Sequence, residues 1–178
     1  MNENSTRKSL LVYGMEGGLW LGLYLILRFF MGVAGMYSPI LNALAMILFI
    51  GTPVVLYYIM AKYHKQNGYV SGFSLLWMMG IMLFFFASLI CCVPEYIFYQ
   101  YISPDYISQT MSRSIELLEE MGLLQGDDAS NTALRQALDE AITPTSLQMI
   151  MSSMWSNVFF GSLLSIVVAP FVTKLNKK

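Results

Sequence analysis

The sequence predicts an all-α polytopic membrane protein: four transmembrane helices in a bundle, with an amphipathic helical pair between spans 3 and 4 on the outer side. Three observations predict this. Four apolar runs each exceed the roughly 20 helical residues that cross a bilayer core of about 30 Å. Hydrophobic residues make up 56% of the 178 residues and charged residues only 12%, about half the charged share of an ordinary soluble domain. Seven of the ten Lys and Arg residues fall in three patches: Arg7 and Lys8; Lys62 and Lys65; Lys174, Lys177 and Lys178. These patches occupy every second end of the apolar runs. Cytoplasmic loops are enriched in Lys and Arg, so both termini are expected in the cytoplasm.

Span 1 is expected over about 9–33 and ends where Gly32, Gly35 and Tyr37-Ser38 break the helix. Its apolar run is too long for the h-region of a signal peptide, about 7–15 residues, and reads as an uncleaved span. Span 2, about 38–61, starts with Ser38 as N-cap and Pro39 in the first helical position, a favourable helix start. The cluster Gln66-Asn67-Gly68-Tyr69 then makes the inner turn. Span 3, about 72–101, is overlong. It must tilt, kink at Pro94 or project beyond the outer surface, and projection fits the belt of Glu95, Tyr96, Tyr99, Gln100 and Tyr101. Span 4 covers about 145–172, and the whole chain reads as one membrane domain, residues 1–178.

The long extramembrane segment, about 104–142, is acidic. Asp105, Glu116, Glu119, Glu120, Asp127, Asp128, Asp139 and Glu140 face only Arg113 and Arg135. Ile107, Met111, Ile115, Leu118 and Met121 recur at helical spacing, as do Ala133, Leu134, Ala137, Leu138 and Ala141. Two short helices of this kind are marginal alone in water and need a surface to lie on. They form a cap over the bundle, a packing element of a homo-oligomer, or a docking surface for an envelope protein. Attachment to a membrane surface is disfavoured, because such helices carry Lys and Arg on the polar face.

In lipid, close backbone packing and hydrogen bonds hold helices together. Gly14, Gly18 and Gly22 form a small-residue stripe on span 1. Ser153, Asn157, Gly161, Ser165 and Ala169 form another on span 4. At matching depth they predict a tight contact between spans 1 and 4, although each could face another span or a second protomer. Glu16 and Asn157 are the candidate intramembrane polar sites. Glu16 shares a helix face with Tyr13, Trp20 and Leu23. It either lines a cavity as an ion or proton site or sits at the boundary bonded to Tyr13, Trp20 or Lys62. Arg28 and Glu95 stand at comparable height and form a candidate structural ion pair.

Other chemistry is sparse. Cys91 and Cys92 are adjacent, which fits neither metal spacing nor a disulfide framework. The single histidine, His64, falls in the inner loop and is expected to be solvated. No H-E-x-x-H, G-x-S-x-G or P-loop occurs, so neither catalytic residues nor a metal or cofactor site are expected. A net charge of −1 argues against nucleic acid as a partner, and the lipid bilayer is the expected surroundings.

The order of several motifs resembles a family of uncharacterised bacterial membrane proteins, the domain-of-unknown-function family numbered 4199. The residues that carry the resemblance begin with Gly14 to Gly22, then Lys62-Tyr63, Gly68 and Ser71-Gly72-Phe73. They continue with Tyr101-Ile102-Ser103-Pro104, Glu116-Leu117-Leu118-Glu119-Glu120-Met121-Gly122, Pro144, and Gly161 through Ala169 to Lys174. The resemblance implies a four-span protein of the bacterial inner membrane and carries no activity with it. The family's usual inner junction has Arg at the position of His64. The functional expectation is a non-enzymatic assembly or envelope-associated factor acting through its acidic outer helices. The alternative is a small oligomeric transporter or ion-coupled protein with Glu16 on its path.

Overall fold

The computed structural model describes residues 10–122 and 145–175. Among these the fold is all-α, with helices α1 (Leu10–Gly35), α2 (Pro39–Gln66), α3 (Phe73–Ile97), α4 (Tyr106–Glu120) and α5 (Ser146–Thr173), and a π-helical turn at Phe98–Ile102. Four of them, with the turn continuing α3, are long and apolar enough to cross a membrane. The second amphipathic stripe, from Ala133 to Ala141, and the terminal patches Arg7, Lys8, Lys177 and Lys178 lie outside the described residues. The chain divides into two compact units: Met1–Pro94 with Ser152–Lys178, and Glu95–Met151.

Local sequence sets the helix ends. Ser38 is extended (φ −148°, ψ 122°) ahead of Pro39 and caps α2 without a side-chain hydrogen bond. At the other end α2 runs on past the expected 61 to Gln66 and closes in a Schellman turn. Tyr69 N–H donates to the His64 carbonyl (2.9 Å) and Gly68 N–H to the Lys65 carbonyl (3.1 Å). Gly68 takes the left-handed conformation this turn requires (φ 67°), and so does Tyr69 (φ 62°), where a side chain is strained. The Tyr69 ring packs edge-on against the His64 ring at 5.4 Å, the contact between positions C″ and C3 that accompanies such turns. Helix α5 begins with half of a capping box: Gln148, three residues on, accepts from Thr145 N–H and from the Thr145 hydroxyl through Oε1, both at 3.0 Å.

In the first unit α3 occupies the middle. It is the most enclosed span, with 44% of its apolar stretch buried against 17–28% for the others. Leu76, Met79, Leu83, Phe84, Ala87 and Cys91 form its buried stripe. The expected contact between spans 1 and 4 is corrected here, because both small-residue stripes close on α3 instead. A β-carbon at Gly18 would lie 2.6 Å from Phe86 Cβ, and one at Gly22 3.2 Å from the Ala87 carbonyl oxygen. Gly161 lies under the Phe84 ring, and Ser165 packs on Gly80 of α3. Trp77 Nε1 adds a hydrogen bond to Ser162 Oγ (3.3 Å). A small-residue stripe requires a close neighbour but does not name it. Helix α3 supplies Gly80, Ala87 and a flat aromatic ring where the two stripes need them.

In the second unit the expected interfacial belt is split. Phe98 and Tyr99 are buried and Tyr96 and Tyr101 exposed, while Glu95 is only 4% exposed. Glu95, Phe98 and Tyr99 are spaced i, i+3 and i+4, which puts them on one helix face. Tyr106 at the start of α4 stacks edge-on against Phe98 at 5.2 Å.

Candidate functional site

Helices α1 and α2 are antiparallel and tied at two levels. Near one end the Tyr13 hydroxyl donates to Gln66 Oε1 at 2.6 Å. Farther along, the Tyr24 hydroxyl donates to the Leu48 carbonyl. These ties are about 16 Å apart along α1, at roughly 1.5 Å per residue. Between them lies a cavity of about 280 Å³ lined by Tyr13, Glu16, Gly17, Trp20, Tyr58, Ile59 and Lys62. The cavity opens away from α3. Trp20 is 70% exposed and Tyr58 69%, while Gly17, at the inner side of the cavity, packs on Leu83 of α3 and Ile59 of α2.

The sequence offered Glu16 two settings, and the cavity contains features of both. Glu16 lines an open recess, and Tyr13, Trp20 and Lys62, the partners considered for a boundary residue, line it too. Its distance from the glycine stripe follows from the helical angle: Gly14, Gly18 and Gly22 turn to α3, which leaves Glu16 and Trp20 on the outer face of α1.

Asn157, the other candidate polar site, meets Arg28. Arg28 Nη2 donates to Asn157 Oδ1 at 3.5 Å, and the guanidinium lies 5.3 Å from the centroid of the Phe49 ring on α2. One arginine thus touches α2 and α5 from α1, through a hydrogen bond and a cation–π contact. Arg28 belongs to the first unit and Glu95 to the second. Ser165 Oγ donates within its own helix to the Gly161 carbonyl (2.6 Å), and Ser165 and Ala169 are fully buried.

His64 is the clearest departure from expectation. It is 1% exposed, not solvated, because α2 continues through it and turns it inward. Its Nε2 lies 3.3 Å from the Leu175 carbonyl, a hydrogen bond that requires the proton on Nε2. Nδ1 has no partner among the described residues. His64 therefore fastens the chain beyond α5 to the end of α2. The spacing of Tyr13, Tyr63 and His64 near one end of an antiparallel pair was the available signal. Tyr13 and Tyr63 meet edge-on at 4.9 Å.

The family described as "Protein of unknown function (DUF4199)" matches residues 13–174. The chain belongs to that family. The match runs from Tyr13 through all four spans to Lys174. No curated protein and no solved structure matches the chain.

Proposed function

We propose that this DUF4199 member is a non-enzymatic assembly or envelope-associated factor of the bacterial inner membrane. Both termini lie in the cytoplasm, and the acidic segment between spans 3 and 4 lies outside as its docking surface for an envelope protein. The observation that carries this reading is the filled centre of the four-span unit. Small residues of α1 and α5 close on α3, and Leu21, Leu56, Met60, Leu76, Met79 and Leu83 fill the space between the helices. A bundle packed in this way acts through its surfaces. The polar groups Tyr13–Gln66, Trp77–Ser162 and Arg28–Asn157 are engaged in holding helices together. The test is affinity purification of the full chain and of a variant lacking residues 105–141. Co-purifying envelope proteins should disappear with the deletion, and their survival would overturn the docking role. Labelling of a cysteine at position 130 only from the cytoplasm would overturn the orientation.

One observation favours the second reading, a small oligomeric transporter: Glu16 lines an open recess between two helices long and apolar enough to span a membrane. On that reading Glu16→Gln abolishes ion-coupled flux into proteoliposomes. Unchanged flux removes it.

A further inference from the structure

We propose that the recess between α1 and α2 is a binding site for a phospholipid with a zwitterionic head group. The recess carries one carboxylate, Glu16, and one ammonium, Lys62, so its formal charge is balanced. A head group with an ammonium and a phosphodiester complements it, the ammonium meeting Glu16 and the phosphate Lys62. A carboxylate presents about four acceptor positions, so Glu16 accommodates a ligand ammonium alongside protein contacts. An anionic head group satisfies Lys62 alone and brings negative charge towards Glu16.

Three further features point to a lipid, not to a soluble ligand. The recess opens sideways, between two helices long and apolar enough to span a membrane, and not into the bundle. Beyond the charged pair, the exposed faces continue in apolar residues: Trp20, Leu23 and Leu27 on α1, Tyr58, Val54 and Ile47 on α2. These line the path an acyl chain takes from a head group at Glu16 and Lys62. Trp20 and Tyr58 line the recess, and Trp and Tyr favour the head-group level of a bilayer. The Tyr13–Gln66 and Tyr24–Leu48 ties hold the two walls apart at a set spacing. The inference is independent of the outer helices, and removing residues 105–141 leaves the recess in place.

The test is native mass spectrometry of the full chain released from nanodiscs containing equal parts phosphatidylethanolamine, phosphatidylcholine and phosphatidylglycerol. The wild type should retain the two zwitterionic lipids over phosphatidylglycerol by about tenfold, the ratio one charge-assisted hydrogen bond supports. Glu16→Gln should bring that ratio close to one; Lys62→Gln should lower retention of all three lipids without abolishing the ratio, and Lys62→Arg should keep both. Both side chains are exposed, so the substitutions leave the packed core intact, and circular dichroism checks that they do. Preferential retention of phosphatidylglycerol, a ratio that survives Glu16→Gln, or retention unchanged in Lys62→Gln would overturn the proposal. So would displacement of the bound lipid by millimolar soluble phosphoethanolamine, which would make the site one for a free head group. A lipid-free dimer that protects position 20 from labelling would assign the recess to a second copy of the chain instead.

Discussion

Substituting Gly18 by Ala tests the central claim about packing, that α1 is held by direct backbone approach to α3. The new β-carbon would lie 2.6 Å from Phe86 Cβ, 3.3 Å from the Leu83 carbonyl oxygen and 3.4 Å from the Ala87 nitrogen. Optimal carbon–carbon separation is about 3.5–4.0 Å, so the helices must part by roughly 1 Å at that level. None of the three atoms is the free end of a flexible side chain. Overpacking of this kind costs about 1–3 kcal/mol, while replacing Gly by Ala inside a helix contributes about 1 kcal/mol in the other direction. Gly32, on the same helix, has nothing within 4 Å of its hypothetical β-carbon. Gly32→Ala carries the propensity gain without the clash, so the difference between the two variants isolates packing, at about 2 kcal/mol. Unfolding in mixed micelles of dodecyl maltoside and sodium dodecyl sulfate, followed by circular dichroism, measures it. Gly17→Ala should fall between them, because its obstacles are Leu83 Cδ2 and Ile59 Cγ2, ends of side chains that can turn away. Equal stability of the Gly18 and Gly32 variants, within about 0.5 kcal/mol, would refute the backbone-approach account.

Further outcomes are expected at the Gly68 turn, at Tyr13 and at Asn157. Tyr69→Gly should stabilise by about 1 kcal/mol, because it removes a side chain from the left-handed conformation, and Gly68→Ala should destabilise by about as much. Tyr13→Phe should cost about 1 kcal/mol through loss of the bond to Gln66, with no change in overall helix content. Asn157→Leu should cost about 1 kcal/mol and loosen Arg28 from α5, seen as stronger quenching of Trp155 fluorescence by a lipid-borne quencher. Asn157→Gln should recover part of that loss.

Much of the site was present in the sequence as a set of faces. The helical angle put Glu16 with Tyr13 and Trp20, and the inner junction put Lys62 at their level; these four do share one recess. The Arg28–Asn157 bond was less visible, although the register contains it. At roughly 1.5 Å per residue, Arg28 stands about 27 Å above the start of α1 and Asn157 about 24 Å from the end of α5. Opposite charge is the stronger signal in a sequence, so Arg28 is set first against a carboxylate and not against the neutral amide of Asn157 at the same depth. His64 was misplaced for a different reason. A polar cluster after an apolar run reads as a loop, whereas α2 continues through it and the Gly68 turn comes only afterwards.

By itself the sequence determines that this chain is all-α with four spans, because the length of each apolar run and the absence of bilayer water leave the backbone no other way to satisfy its hydrogen bonds. It also determines which residues are small, which are charged, and on which helix face each stands. Which helix lies in the middle was decided only in three dimensions. Both glycine-bearing stripes need a neighbour at close range, and a periodicity along one helix is equally compatible with several partners. Helix α3 meets both because its Gly80, Phe84 and Ala87 match the two stripes at the same depths. Turning those faces inward leaves Glu16 and Lys62 outside, between α1 and α2.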